Sequence, residues 1–188
     1  MRLFVAVTPD EAVRAAAAAI QGELRSRTSL DARWVASERL HLTLAFLGSV
    51  DPSVLPDLRH ALADALASVD GFTMRLGAPG AFPSARRPRI LWLGVGQGAE
   101  RLSALADVIR GALRPFSVAA DDRPFRPHLT LARIRTPRTD RSLAASLASR
   151  FEGADASWEV RSVTLFESVL GPDAAHHRPE AVLALAGP

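Results

Sequence analysis

The chain repeats itself. His41-Leu42-Thr43-Leu44-Ala45 recurs letter for letter as His128-Leu129-Thr130-Leu131-Ala132, and the copies stand 128 − 41 = 87 residues apart. Carried upstream, the same offset lays Arg2-Leu3-Phe4-Val5-Ala6 on Arg89-Ile90-Leu91-Trp92-Leu93, and Arg39 on Arg126. A repeat that keeps both a motif and its distance from an apolar strand constrains the fold to two similar lobes. Each lobe is a strand, a helix and a strand bearing His-x-Thr, and a pseudo-two-fold axis relates the pair. The 188 residues suit one domain of two joined lobes over 1–188, with repeat units beginning near 2 and 89.

Periodicity fills in the remaining elements. Residues 2–7 read as a buried strand, and Thr8-Pro9-Asp10-Glu11 reads as a capped helix start. Val13, Ala17, Ile20 and Leu24 then mark one face of a helix over about 9 to 26. Asp51-Pro52 opens a second helix with Leu55, Leu58, Leu62 and Leu66 inward. Leu102, Leu105, Ile109 and Leu113 mark a third, and Thr136-Pro137 opens a fourth with Leu143 and Leu147 inward. Strands are predicted over 41–47, 72–77, 89–95, 128–134 and 158–170, and the Gly- and Pro-rich stretch 77–88 reads as a loop between halves.

Composition removes several classes of function. Hydrophobic residues make up 48%, enough for a real core, and no apolar run is long enough to span a bilayer. The opening apolar stretch is too short for a signal peptide, so the expected location is the cytoplasm. The absence of cysteine excludes disulfides, zinc–thiolate sites and thiol nucleophiles. All 23 basic residues are arginine, whose planar fork suits phosphate, although a GC-rich genome explains the overall count as well. A net charge of +3 does not describe a protein that coats nucleic acid, but it permits a local basic cleft.

Strand geometry sorts the repeated motif. Residues i and i+2 share a face, so His41 and Thr43 point one way while Leu42, Leu44 and Phe46 point into the core. The second copy sorts likewise: His128 and Thr130 on one face, Leu129 and Leu131 on the other. A lone strand histidine is more often a partly buried imidazole than a site, but two in identical contexts point to chemistry. Neither motif supplies a carboxylate for a metal, and no nucleophile elbow, Walker loop or dinucleotide fingerprint is present. Two histidines and two threonines suffice for in-line phosphodiester chemistry. A neutral imidazole takes a proton from the attacking oxygen and an imidazolium gives one to the leaving oxygen. The hydroxyls donate to non-bridging phosphate oxygens. No metal or cofactor is needed.

These residues bring a known family into view. The chain resembles the two-histidine (2H) phosphoesterases, and most closely the bacterial RNA 2′,3′-cyclic phosphodiesterases, historically called 2′-5′ RNA ligases. The resemblance runs from Arg2-Leu3-Phe4-Val5-Ala6 through His41-Leu42-Thr43-Leu44-Ala45-Phe46-Leu47-Gly48 and Phe82-Pro83. It continues through Pro88-Arg89-Ile90-Leu91-Trp92-Leu93-Gly94 and Arg126-Pro127-His128-Leu129-Thr130-Leu131-Ala132-Arg133 to Val163-Thr164-Leu165-Phe166-Glu167-Ser168. It implies an α+β fold, bilobal, with antiparallel sheets lining a central cleft and helices outside. It also implies hydrolysis of RNA 2′,3′-cyclic phosphates to 2′-phosphomonoesters, with reversible 2′-5′ joining of tRNA halves as a side activity. By the same resemblance His41 is the proton donor and His128 the proton acceptor, an assignment that the near-symmetry of the halves leaves underived.

The arginines and the remaining histidines are weighed separately. Arg39 and Arg126 share strand parity with their histidines and are candidates for RNA phosphate. Arg133 matches the family motif and is a third candidate, although strict alternation turns it to the face opposite His128 and only strand-end twist would bring it back. Relatives often carry a tyrosine near the stretch Gly171 to Arg178, and this chain has no tyrosine. His176 and His177 could stand in for it, but adjacent histidines in a polar loop are more commonly solvated. His60 reads as a surface helix residue. A small nucleotide cyclic phosphate, ADP-ribose cyclic phosphate, or a catalytically idle binding role remain the alternatives, and a monomer is expected.

Overall fold

The computed structural model describes residues 1–116, 118, 124–136, 140–171 and 175–187. In chain order its strands are β1 (Arg2–Val7), β2 (Ala32–Trp34), β3 (Leu42–Ser49), β4 (Phe72–Phe82), β5 (Ile90–Val95), β6 (His128–Ile134), β7 (Ser157–Val160), β8 (Ser162–Leu170) and β9 (Ala175–Ala184). They form a four-stranded sheet, β3-β1-β8-β9, and a five-stranded sheet, β2-β6-β5-β4-β7. All strand pairings in both sheets are antiparallel. One motif strand lies in each sheet, β3 at an edge of the first and β6 inside the second.

The helices are α1 (Glu11–Arg27), α2 (Leu55–Leu66), α3 (Ala99–Leu113) and α4 (Arg141–Ala148). Helix α1 is capped by Asp10, whose carboxylate accepts from the Val13 amide at 2.9 Å, so the cap lies two residues beyond the expected Thr8. Asp51 caps a 3-10 turn over Pro52–Val54 that leads into α2. Helix α4 starts at Asp140, which accepts from the Ser142 amide at 2.8 Å, rather than at Thr136; Pro137 lies outside the described residues. The helices cross between sheets. Helix α3 joins two strands of the second sheet yet packs on α2 and β3, while α1 follows β1 of the first sheet and reaches β6 of the second. One continuous apolar cluster results, from Leu3, Val5 and Leu42 to Leu91, Leu129 and Leu131.

Three sequence expectations need correction. The 77–88 stretch is not all loop, because β4 runs through to Phe82. Its glycines serve packing: a Cβ on Gly80 would come within 2.3 Å of the ring of Trp92, its partner on β5. The expected single strand over 158–170 is two strands in different sheets, with the chain crossing at Arg161. The third concerns register. Val7 pairs with Leu42 and Leu93 with Leu129, so β1 and β5 correspond at 93 − 7 = 86, one less than the motif offset. A one-residue slip exchanges faces, and it is Leu91 and Leu93, not Ile90 and Trp92, that share the core with Leu3, Val5 and Val7.

The odd residue lies between β5 and β6, where 129 − 93 = 36 stands against 42 − 7 = 35 between β1 and β3. Separately, each motif strand carries a β-bulge, and β3 has a second at Leu47. On β3, Val5 pairs with Ala45 and Ala6 with Thr43, which leaves Leu44 extra; on β6, Leu91 pairs with Ala132 and Trp92 with Thr130, which leaves Leu131 extra. The bulges at Leu44 and Leu131 sit at the same place in their motifs, and each turns two successive residues to the core.

A single buried amide braces the β6 bulge. Gln21, on the core face of α1, donates from Nε2 to the Leu131 carbonyl at 2.8 Å and to the Val35 carbonyl at 2.9 Å. Gln21→Leu fills the same space and leaves the Val35 carbonyl short of a donor, so unfolding free energy should fall by about 1–3 kcal/mol. Urea denaturation of the two proteins measures it, and an unchanged midpoint would mean that the amide braces nothing.

Candidate active site

Paired strand residues share a face, so the pairings show what lies around each histidine. On the first sheet Thr43 stands beside Ala6, Phe46 beside Phe4, and Phe4 beside Phe166. On the second, His128 stands beside Gly94, Thr130 beside Trp92, and Arg133 beside Ile90. The leucines between them, Leu42, Leu44, Leu129 and Leu131, are fully or nearly fully buried. His-x-Thr thus faces outward from the core in both copies, as alternation predicts.

Beyond the bulges alternation fails, and two side chains change sides. Phe46, expected in the core, is 54% exposed and lies 6.2 Å from the Phe4 ring on the histidine face. Arg133, expected opposite His128, is exposed on the same face as His128 and Thr130. Phe46 and Arg133 occupy equivalent places in the two repeats. Arg39 ends a 3-10 turn and Arg126 precedes β6, so neither belongs to a strand and the parity argument does not reach them.

What these two arginines do through their backbones is clear. His41 Nδ1 lies 2.8 Å from the Arg39 carbonyl and His128 Nδ1 lies 2.6 Å from the Arg126 carbonyl, each two residues upstream. A carbonyl only accepts, so each Nδ1 carries a proton. In the neutral ring Nε2 is therefore the bare nitrogen, free to take a proton, and in the cation it is free to give one. Two rings in one tautomer, held by one backbone device, suit proton transfer.

The surroundings of the rings differ. His128 meets Phe82 edge to face at 5.1 Å and Trp92 at 6.5 Å. His41 packs against Phe4 at 5.0 Å, Phe166 at 6.4 Å and the ring of His177 at 5.3 Å. Burial pushes the His41 imidazole down from 6.5 to about 4, against the opposing pull of the Arg39 carbonyl, and the charges of His177, Arg133 and His128 add to the depression. Those three charges come from both sheets, His177 from β9 and Arg133 and His128 from β6, so His41 shares one electrostatic environment with both.

His177 is the residue that sequence reasoning missed. It lies in β9, not in a solvated loop, because β9 pairs along β8 and sets His177 beside Ser168. His176 is exposed, and His60 is an open helix residue 3.3 Å from Asp64. Pro172 to Ala174, within the stretch Gly171 to Arg178, lie outside the described residues. Among the described residues no group of three or more His, Asp or Glu could hold a metal ion, and no helix is long and apolar enough to cross a membrane.

Comparison with known proteins identifies the family. Residues 4–172 match the model of the 2′-5′ RNA ligase superfamily. A protein of Methanothermobacter thermautotrophicus named RNA 2′,3′-cyclic phosphodiesterase is 31% identical over 177 residues, covering 92% of each chain. Among solved structures, TT0787 of Thermus thermophilus superposes with a TM-score of 0.83 at 30% identity, covering 100% of this chain and 99% of that one. Escherichia coli LigT complexed with 3′-AMP superposes with a TM-score of 0.76 at 27% identity, covering 98% and 97%. The duplicated motif, the two-sheet fold and these matches together make this chain a member of the 2′-5′ RNA ligase superfamily, the two-histidine phosphoesterases.

Proposed function

We propose that the protein opens RNA 2′,3′-cyclic phosphates to 2′-phosphomonoesters by metal-independent acid–base catalysis, with reversible 2′-5′ joining as a side activity. It acts as one two-lobed domain, a cytoplasmic monomer whose partners are RNA ends. The observation that carries the reading is the identical seating of His41 and His128, each with Nδ1 tied to a carbonyl and Nε2 left for substrate. The names of the relatives supply the substrate class.

In this reading His128 Nε2 takes a proton from water as the water oxygen attacks phosphorus. The bond from phosphorus to O3′ breaks, and His41 gives its Nε2 proton to O3′. The hydroxyls of Thr43 and Thr130 donate to the non-bridging oxygens, where charge lies in the transition state. Arg133, Arg39 and Arg126 meet RNA phosphates, and the open ring of Phe46 offers a face to a base.

The depressed basicity of His41 places a condition on this mechanism. In the empty cleft His41 is neutral at pH 7, yet a donor must be protonated. The cyclic phosphate carries one negative charge, and an anion beside an imidazole favours its charged form. His41 therefore takes up its proton as the anion binds.

The direct test is incubation with a 2′,3′-cyclic nucleotide in EDTA. The expected product is the 2′-monophosphate; loss of turnover restored by a divalent ion would overturn the metal-free mechanism.

Variants test the roles. Thr43→Val and Thr130→Val should each lower kcat about 10²-fold with folding intact. His41→Ala and His128→Ala should each cost on the order of 10²–10⁴-fold on an ordinary substrate. A substrate whose leaving group needs no proton should rescue His41→Ala alone. Rescue of His128→Ala instead would reverse the roles.

Sulfate, which does not titrate near neutrality, tests proton uptake. Because the bound state holds one more proton, sulfate affinity should rise as pH falls from 7 toward about 5, levelling as free His41 protonates near its value of about 4. His41→Gln should flatten the dependence. A flat profile in the unaltered protein would mean that His41 stays neutral and cannot be the donor.

A further inference from the structure

His177 belongs to the surroundings of His41 but has no part in the mechanism above. Its ring meets His41 edge to face at 5.3 Å and 85°, and Phe4 at 4.9 Å and 78°. Phe166 lies 6.4 Å away. The Nδ1 atom is sealed from solvent with no hydrogen-bond partner among the described residues, although the residue as a whole is only partly buried. A proton on Nδ1 would be an orphan donor in an apolar contact, which costs free energy. The neutral ring therefore carries its proton on Nε2, the tautomer opposite to that of His41 and His128. Double protonation would strand a buried N–H, so the ring also resists becoming a cation.

We propose that His177 is a third imidazole of the site, which donates a neutral hydrogen bond from Nε2 to an oxygen of the bound phosphate without exchanging a proton. The proposal rests on the reading that the cleft binds a phosphate group. It explains why a third histidine beside His41 does no harm. A His177 cation opposes protonation of His41 in acid, whereas near neutrality the ring, held below the usual histidine value, acts as a neutral donor that helps to hold the anion that makes His41 protonate. The charged and titratable groups around the pair agree in sign. Arg39, from the turn before β3, and His176, on the same strand, add to the effect of burial in holding His177 below the usual histidine value. Arg133 and His128 of β6 face His41. Glu167 of β8 stands beside Arg178, to which it is paired at 2.8 Å, and among the described residues no carboxylate is one of the groups that act on His177.

Two replacements separate the hydrogen bond from the packing. His177→Phe keeps an aromatic ring between Phe4 and His41 but removes the donor; His177→Gln keeps an N–H at about the reach of Nε2. Calorimetric binding of 2′-AMP, the expected product type, should weaken roughly tenfold or more in His177→Phe and return to within about threefold in His177→Gln. The pH profile of kcat/KM should keep the same limbs in both variants, because His177 exchanges no proton. Undiminished binding in His177→Phe overturns the proposal. So does an equal loss in both variants, which would mean that the ring only packs, and so does a lost pH limb, which would mean that it transfers protons. If His177→Phe does not fold, His177→Leu serves with the same readouts. Unaltered protein that binds 2′-AMP without opening the cyclic phosphate would overturn the hydrolase reading and leave this comparison standing. Unaltered protein that does not bind 2′-AMP would overturn both.

Discussion

Each motif strand carries an extra residue, at the same place, relative to the strand it pairs with. Much of what surrounds the histidines depends on those bulges at Leu44 and Leu131. A regular strand cannot send His and Thr to one face, seat three or more apolar side chains behind them, and then return an aromatic or an arginine to the first face at an odd spacing. A bulge does this by turning two neighbours inward together, Leu44 with Ala45 and Leu131 with Ala132. Phe46 and Arg133 then fall on the face of Thr43 and Thr130. The Leu131 carbonyl accepts both from the Val35 amide, which extends the pairing with β2, and from the buried Gln21 amide, which ties the bulge to α1.

The two histidines are held by equivalent bonds in different settings. The Nδ1 contacts to carbonyls 39 and 126 come from the local course of the chain before each strand, so duplication reproduces them together. The rings beyond do not repeat. His41 lies among Phe4, Phe166 and His177, while His128 has Phe82 and Trp92. β8 and β9 come from the C-terminal part of the chain but join the sheet of the first motif, so His41 gains neighbours that the duplication does not provide for His128.

Sequence alone revealed the motif, the outward face of His and Thr and the inward leucines, because each of these rests on local periodicity; the class with two antiparallel sheets came from the family resemblance. It failed where two alternatives leave the same local pattern. In Leu44-Ala45 and Leu131-Ala132 a bulge and a regular strand are both acceptable to small and branched apolar side chains, so nothing in the letters marks the extra residue. The one-residue error in aligning β1 with β5 has another origin: the chain from β5 to β6 is one residue longer than that from β1 to β3, and an insertion there leaves no mark in either strand. Arg161 divides one apolar run into strands of two different sheets, a decision made by tertiary pairing. His177 was legible only as half of a polar pair, since its place beside His41 depends on how β9 runs along β8. Gln21 did leave a signal: an amide on the helix face that carries Val13, Ala17, Ile20 and Leu24 has to find a buried partner.

The exchange of helices gives the duplication a mechanical sense. If α1 covered the sheet that contains β1, and α3 the sheet that contains β5, each half could close its own core, and the angle between the halves would depend on a thin interface. Instead α3 leaves the second sheet to pack on β3, and α1 sends Gln21 to the bulge of β6. Each motif strand is thus backed by a helix from the other half, within one apolar cluster. Moving one motif relative to the other would then require unpacking a core rather than opening a hinge. The proposed proton transfers by two imidazoles would need that rigidity, because positioned catalysis falls away steeply when the groups are misplaced by about 1 Å. Local loops can vary around such a frame while the spacing of His41 and His128 is set by helix-on-sheet packing.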